Sequence, residues 1–240
     1  MTQKFIPILF STDMVNAILE GRKTQTRRTN RLNEINKNPE NWKLLTTFDN
    51  PDDNNSALYT RDEKLILGFK SLSDVYLDIL CPFGKKGDIL WVRESFYTAS
   101  NYNHWNPRLL INCNVEIFYK ADIQNSSIKQ PLNRGKKRPS IHMPKEACRI
   151  FLKVTNVRVE RLNDISESDA IAEGVECFGK NRNGFDLYKD YRDKYPTPFF
   201  NPINSFRSLW ISINGDDSWI LNPFVWVIEF EKIDKPQNFI

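Results

Sequence analysis

The stretch Gly21-Arg22-Lys23-Thr24-Gln25-Thr26-Arg27-Arg28 constrains this chain more than any other. A short amphipathic pattern precedes it. Ser11 or Thr12 can cap a helix, Met14, Val15, Ile18 and Leu19 make one apolar stripe, and Gly21 can take the left-handed turn that ends it. The helix then stops where four cations and two hydroxyls begin. In extended backbone, Lys23 and Gln25 would share one face and Thr24 and Thr26 the other. Such a run reads either as a solvated basic face or as a segment that binds an anion or activates a nucleophile.

Further features follow in order. Residues 4–10 read as a first strand, with Pro7 confining it to a sheet edge or a bulge. Residues from about 29 to 80 are rich in Asn and Asp, notably Asp49-Asn50-Pro51-Asp52-Asp53-Asn54-Asn55, which is turn chemistry. They read as an insertion, with residues 42–48 and 65–69 as the arms of a hairpin. Gly84-Lys85-Lys86-Gly87-Asp88 is a turn signal before the apolar run 89–92, a buried strand. Arg93 and Glu94 arrive at its end, where Arg93 has two readings, an internal ion pair or a substrate-facing role.

Residues 115–120 predict a strand, and Arg134-Gly135-Lys136-Lys137-Arg138 a basic, flexible approach to Pro139-Ser140-Ile141-His142-Met143-Pro144. Two prolines restrict the backbone around His142, which is either a packed, hydrogen-bonded side chain or a catalytic one. Apolar residues alternate through 149–161, predicting a long half-buried strand. Ser166-Glu167-Ser168-Asp169 is a capping box with an acid at its fourth place, and Gly174 can end that helix. Glu173 therefore sits in the last turn, where the helix dipole opposes a carboxylate. It is a plain surface residue, or a function or a cation partner explains it.

Residues 176–204 read as a second insertion or lid. Phe206, Leu209, Trp210 and Ile213 follow at helical spacing, Asn214-Gly215-Asp216-Asp217 breaks that helix, and residues 225–230 form a last strand with Glu229 and Glu231 facing outward.

Together these blocks resemble the ASCH family, in the long form often found in phages and prophages. The helix followed by G-R-K-T-x-T-R-R carries the resemblance. Cys81-Pro82-Phe83-Gly84 through Arg93-Glu94, the segments 138–144, 157–162 and 170–175, and finally 210–228 extend it. After Pro144 the family form has a basic residue and then a tryptophan, so Lys145 fits and Glu146 departs.

The resemblance implies an α+β fold: a single domain spanning residues 1–240, with a PUA-like β-barrel, flanking helices and two insertions. One branch of the family removes the acetyl group from N4-acetylcytidine with a lysine, a threonine and a glutamate, matched here by Lys23, Thr26 and Glu173. Arg22, Arg27, Arg93, Glu94 and His142 are the expected substrate-binding residues.

The chemistry can be stated on its own terms. A Lys23 with its pKa lowered by Arg22, Arg27 and desolvation takes a proton from Thr26 or from water. The nucleophile attacks an amide carbonyl, and Glu173 returns a proton to the leaving amine. Arg93 or His142 would stabilise the oxyanion. If Lys23 stays a charged amine on an open surface, the chain is instead a non-catalytic module that binds RNA or a modified nucleoside. Ribonuclease activity is a further alternative.

Composition is compatible with these readings. With 240 residues and 40% hydrophobic content the chain can fill a core, and a net charge of +4 is too mild to indicate nucleic-acid binding by itself. A basic footprint would come from residues 22–31 joined by Lys129, Arg134, Lys136, Lys137 and Arg138. Cys81, Cys113, Cys148 and Cys177 are widely spaced and only two histidines are present. Neither a zinc site nor a disulfide framework is expected, and no cofactor is called for. The chain has no Gly-rich phosphate loop, no signal peptide pattern, and nowhere about 18 consecutive apolar residues. A cytoplasmic protein is the expectation, and nothing in the sequence names a protein partner.

Overall fold

A computed structural model describes residues 3–45, 58–61, 64–109, 115–125, 132–193 and 197–239. The turn expected over 49–55, Cys113 and Lys129 lie outside the described residues. The fold is mixed α+β. The strands are β1 (Phe5–Leu9), β2 (Gln25–Arg28), β3 (Trp42–Leu44), β4 (Leu58–Arg61), β5 (Lys64–Ser71), β6 (Tyr76–Leu80) and β7 (Ile89–Arg93). They continue with β8 (Phe96–Tyr97), β9 (Phe118–Tyr119), β10 (Phe151–Arg161), β11 (Cys177–Lys180), β12 (Asp186–Tyr188) and β13 (Phe224–Ile233). The helices are α1 (Thr12–Leu19), α2 (Lys120–Asn125), α3 (Glu167–Ala172) and α4 (Pro202–Asn214).

The chain divides into two compact units, one from Arg22–Lys86 and Val154–Phe230, the other from Thr2–Gly21, Gly87–Lys153 and Glu231–Ile240. In the second unit β1 pairs in parallel with β7 from Phe5↔Ile89 to Leu9↔Arg93, and β7 pairs antiparallel with the start of β10. β1 is the edge strand of that order, which is where Pro7 belongs, because it has no N–H to give a second neighbour. Ile89, Leu90, Trp91 and Val92 are all buried, as a central strand covered on both faces requires. Phe239 anchors this core, with its ring 5.2 Å from Phe5, 4.7 Å from Phe151 and 6.1 Å from Trp91. Burial of such a ring contributes roughly 1.5–3 kcal/mol. Helix α1 is capped by Ser11, whose side chain accepts from Met14 N. It buries Val15 and Ile18 while Leu19 stays exposed, and Gly21 takes the left-handed φ of 77°.

In the first unit β2 pairs antiparallel with β13, and β13 lies next to β10. Ser166 caps α3 by accepting from Asp169 N, and Gly174 turns the chain at φ 88°. Helix α4 drives Phe206 and Trp210 into a core with Leu162, Ile165, Val175, Val225 and Val227. The first insertion is a small sheet: β3 pairs antiparallel with β5 from Trp42↔Ser71 to Leu44↔Phe69, the expected hairpin arms, and β4 and β6 flank β5. The second carries the β11–β12 ribbon.

Glu229 and Glu231 face outward on either side of buried Phe230, as expected, and Glu229 is ion-paired to Arg158. Two expectations need correction. Only Phe118 and Tyr119 of residues 115–120 are strand; the chain then enters α2 at Lys120, its first turn carrying Asp122. Arg138 is no part of a solvated basic face, being 4% exposed with its guanidinium on backbone carbonyls. Among the described residues the strand ladders form open paths rather than a closed barrel. No helix among them is long and apolar enough to cross a membrane.

Candidate functional site

The geometry begins with backbone. Thr24 N donates to Ala172 O at 2.9 Å and Thr24 O accepts from Phe230 N at 2.8 Å, so the residue before β2 is clamped between the end of α3 and β13. That clamp brings two cations to the carbonyl end of α3. Arg22 Nη1 donates to Gly174 O at 2.7 Å, and Lys23 Nζ donates to Glu173 O at 2.8 Å. Both satisfy carbonyls a helix terminus leaves open, at its negative end.

Lys23 Nζ also meets Glu173 Oε2 at 2.6 Å, with Lys23 2% and Glu173 4% exposed. Burial pulls the Lys23 pKa down, Glu173 opposes that, and Arg28 and Arg27 add to the lowering. Glu173, a carboxylate at the unfavourable end of a helix, is held by cations rather than exposed.

Arg27 carries the pairing further. Its Nε and Nη2 donate to Glu160 Oε1 at 3.0 and 2.6 Å, its Nη1 to Glu173 Oε1 at 3.2 Å, and its Nη2 lies 3.2 Å from Asp169 Oδ2. The guanidinium sits over the Phe206 ring at 5.7 Å. Arg158 meets Glu160 at 3.2 Å, Asp169 at 2.9 Å and Glu229. Gln25 Nε2 donates to both Asp169 O and Asp169 Oδ1 at 2.8 Å. Burial resists ionisation of Asp169, but Gln25, Arg158 and Arg27 outweigh it and lower its pKa. The polar rim opens on a cleft of about 300 Å³ lined by Thr24, Gln25, Thr155, Ser168, Asp169 and Glu229.

Thr26 lies at the centre of β2, opposite Ile228. Gln25 and Arg27 both reach Asp169, so the pleat turns Thr26 to the other face of the strand. It is 1% exposed, and its hydroxyl meets no hydrogen-bond partner among the described residues. Lys23 and Glu173 are thus brought together, while the Thr26 hydroxyl is out of hydrogen-bond reach of both.

The other expected residues belong to the second unit. Arg93 at the end of β7 donates to Ile141 O and lies over the Trp91 ring. Glu94 makes an ion pair: it is 1% exposed and takes Arg149 Nε and Nη2 at 2.8 and 3.0 Å. Arg149 also meets Asp122 at 2.8 Å and stacks 3.8 Å above Tyr119. Burial raises the Glu94 pKa against the pull of Arg149, and it pushes the Tyr119 hydroxyl up to about 12 and the Cys148 thiol up to about 11. His142 is exposed at the end of the single turn Ser140–His142.

Sequence reasoning missed Glu160, Arg158 and Asp169 as members of the network. A signal existed: Arg158 and Glu160 are two apart on a strand read as half-buried, so both charges fall on one face. Asp169 was legible only as a cap residue. Among the described residues no group of three or more His, Cys, Asp or Glu side chains is arranged to hold a metal ion.

Comparison with known protein families, with curated proteins and with solved structures finds no match for this chain.

Proposed function

We propose that this chain is an ASCH-type protein with a PUA-like barrel that binds RNA or a modified nucleoside and hydrolyses the amide of an N4-acylated cytidine. The observation that carries the reading is the buried contact of Lys23 Nζ with Glu173 Oε2 at 2.6 Å. Burial lowers the Lys23 pKa against the pull of Glu173, toward the neutral amine that a general base must be, and Glu173, in contact with it, is the proton donor of the proposed reaction.

In the proposed reaction, neutral Lys23 takes a proton from water as the oxygen attacks the acyl carbon. Protonated Glu173 gives its proton to the N4 nitrogen as the C–N bond breaks, releasing cytidine. The second product is the carboxylic acid, which then loses its proton to solvent. Transfer of the proton from Lys23 to Glu173 resets the pair. Arg27 holds the second oxygen of Glu173 and fixes the carboxyl in place. The Thr26 hydroxyl, buried without a hydrogen-bond partner among the described residues, is a polar group in want of a ligand. At 2% and 4% exposure, Lys23 and Glu173 meet substrate only when the site opens.

The second reading, a module that binds without catalysis, is favoured by the same contact if the pair stays fully ionised. Single alanine variants at Lys23, Thr26 and Glu173 separate the two. Each is expected to lose most hydrolysis of N4-acetylcytidine, with double variants little worse than singles, because residues acting as a unit are strongly non-additive. A wild-type protein that binds the nucleoside and leaves the amide intact would establish the binding module.

A further inference from the structure

The second unit contains a buried cation that no acid among the described residues answers. Arg138 is 4% exposed, and its guanidinium donates to Trp105 O at 3.1 Å and Tyr102 O at 2.6 Å. Its Nε has no partner among the described residues. A buried charge is normally paired with its opposite; here, among the described residues, only carbonyl dipoles meet it, and burial lowers its pKa.

The surroundings make the imbalance larger. From Ile123 to Lys145 the sequence carries Lys129, Arg134, Lys136, Lys137, Arg138 and Lys145 and no acid, and residues 95–115 also lack one. The segment 134–138 runs as a strap against β8 and the residues after it. Arg138 bridges Phe96, Arg134 bridges Ala99, Gly135 N donates to Thr98 O at 2.8 Å, and Lys136 N donates to Asn103 Oδ1 at 2.8 Å. Gly135 is needed for so close an approach: a Cβ there would lie 2.3 Å from Asn103 Oδ1 and 3.0 Å from Thr98 O.

The clamp exposes Lys136 and Lys137 and leaves Arg134 over the Tyr97 ring at 4.6 Å. Beside them Trp105 is 43% exposed, set edge-on against Tyr102 at 5.6 Å. The turn that carries both aromatics is the one Arg138 holds by its carbonyls. Cations without acids, next to an exposed indole, are the two elements of a surface that tracks a phosphate backbone and stacks a base.

We propose that the strap 134–137 and the turn 102–105 form a binding surface for single-stranded RNA, with Lys136 and Lys137 on phosphates and Trp105 under a base. Arg138 is a positioning residue that joins the two parts and adds positive potential. The inference rests on the reading that the ligand is a nucleic acid component. It assigns the strand to residues apart from the Lys23–Glu173 pair.

Fluorescence anisotropy with a labelled, unstructured oligouridine at low and moderate salt tests it, using the full chain. Lys136→Glu/Lys137→Glu, both exposed, is expected to weaken binding at least about ten-fold and to flatten the salt dependence. Trp105→Ala is expected to weaken it roughly ten-fold while leaving the salt slope as it was. Wild-type affinity in both strap variants would overturn the surface, as would oligouridine binding that inorganic phosphate abolishes at equal phosphate concentration. Hydrolysis of N4-acetylcytidine, measured in parallel, keeps the two claims apart: strap variants that lose RNA while the wild type hydrolyses nothing sink the enzyme and leave the surface standing.

Discussion

Arg27 in one unit and Arg138 in the other are 2% and 4% exposed, yet among the described residues Arg27 meets three carboxylates and Arg138 meets only carbonyls. Around Arg27, the cations Lys23, Arg27 and Arg158 are ion-paired with the acids Glu160, Asp169, Glu173 and Glu229. Around Arg138 the positive charge is left to act on whatever lies outside. Burial alone therefore does not tell what a charge does. A matched network fixes geometry, here that of Lys23 against Glu173, whereas an unmatched cation favours an anionic partner.

The contrast can be broken most forcefully at Glu173. Glu173→Ala strands Lys23 and one side of Arg27 in a buried site, and loss of one partner of such a pair costs about 3–5 kcal/mol. Urea denaturation should register that loss, and Lys23→Met added to the same variant should recover part of it. No recovery would mean that the carboxylate matters for something other than charge. Arg138→Met is expected to cost less, about 1–3 kcal/mol, since it removes hydrogen bonds to two carbonyls but no ion pair. An equal cost at both sites would erase the distinction between them.

A smaller effect is expected at Gly135, where an added Cβ pushes Asn103 Oδ1 away and severs its bond to Lys136 N. Gly135→Ala should cost on the order of 1 kcal/mol, accompanied by weaker RNA binding because the strap shifts. Unchanged stability would show that the clamp is loose.

The smallest effect separates the units by sign. Asp169 in the ion network has a lowered pKa. Its contribution is present above the ordinary value of 3.8 and is lost as pH falls through the folded value. Glu94 has a pKa raised above 4.5, so its contribution is complete below 4.5 and is lost as pH rises through the folded value. Hydrogen exchange followed through the acid range should thus show amides of α3 losing protection on acidification and those around β7 gaining it. The same sign in both places would contradict the assignment.

What could be read beforehand was local. Ser11, Ser166, Gly21, Gly174 and Pro7 act on backbone within a few residues, and each sits where its chemistry demands. The long strand β10 was legible because burial on one face leaves a two-residue period. Charge partners were not legible, since Lys23 and Glu173 are 150 residues apart and Arg27 and Glu160 are 133 apart. Neighbouring side chains gave no clue to them. Glu94 illustrates this: its partner Arg149 lies 55 residues along the chain. Helix α2 was hidden for the opposite reason, its β-like aromatic approach at Phe118 and Tyr119 being followed at once by a helix of only six residues.

The proposal that the Lys23–Glu173 pair is a catalytic acid and base is tested most directly by kcat/KM for N4-acetylcytidine as a function of pH, because that profile reports the ionisations of the free protein. The expected profile rises with pH along a limb whose apparent pKa belongs to the pair and lies below the ordinary lysine value of 10.5. In folded Lys23→Ala that limb should vanish together with most of the activity. A wild-type protein that leaves the amide intact at every pH, or a folded Lys23→Ala that keeps the wild-type profile, would contradict it.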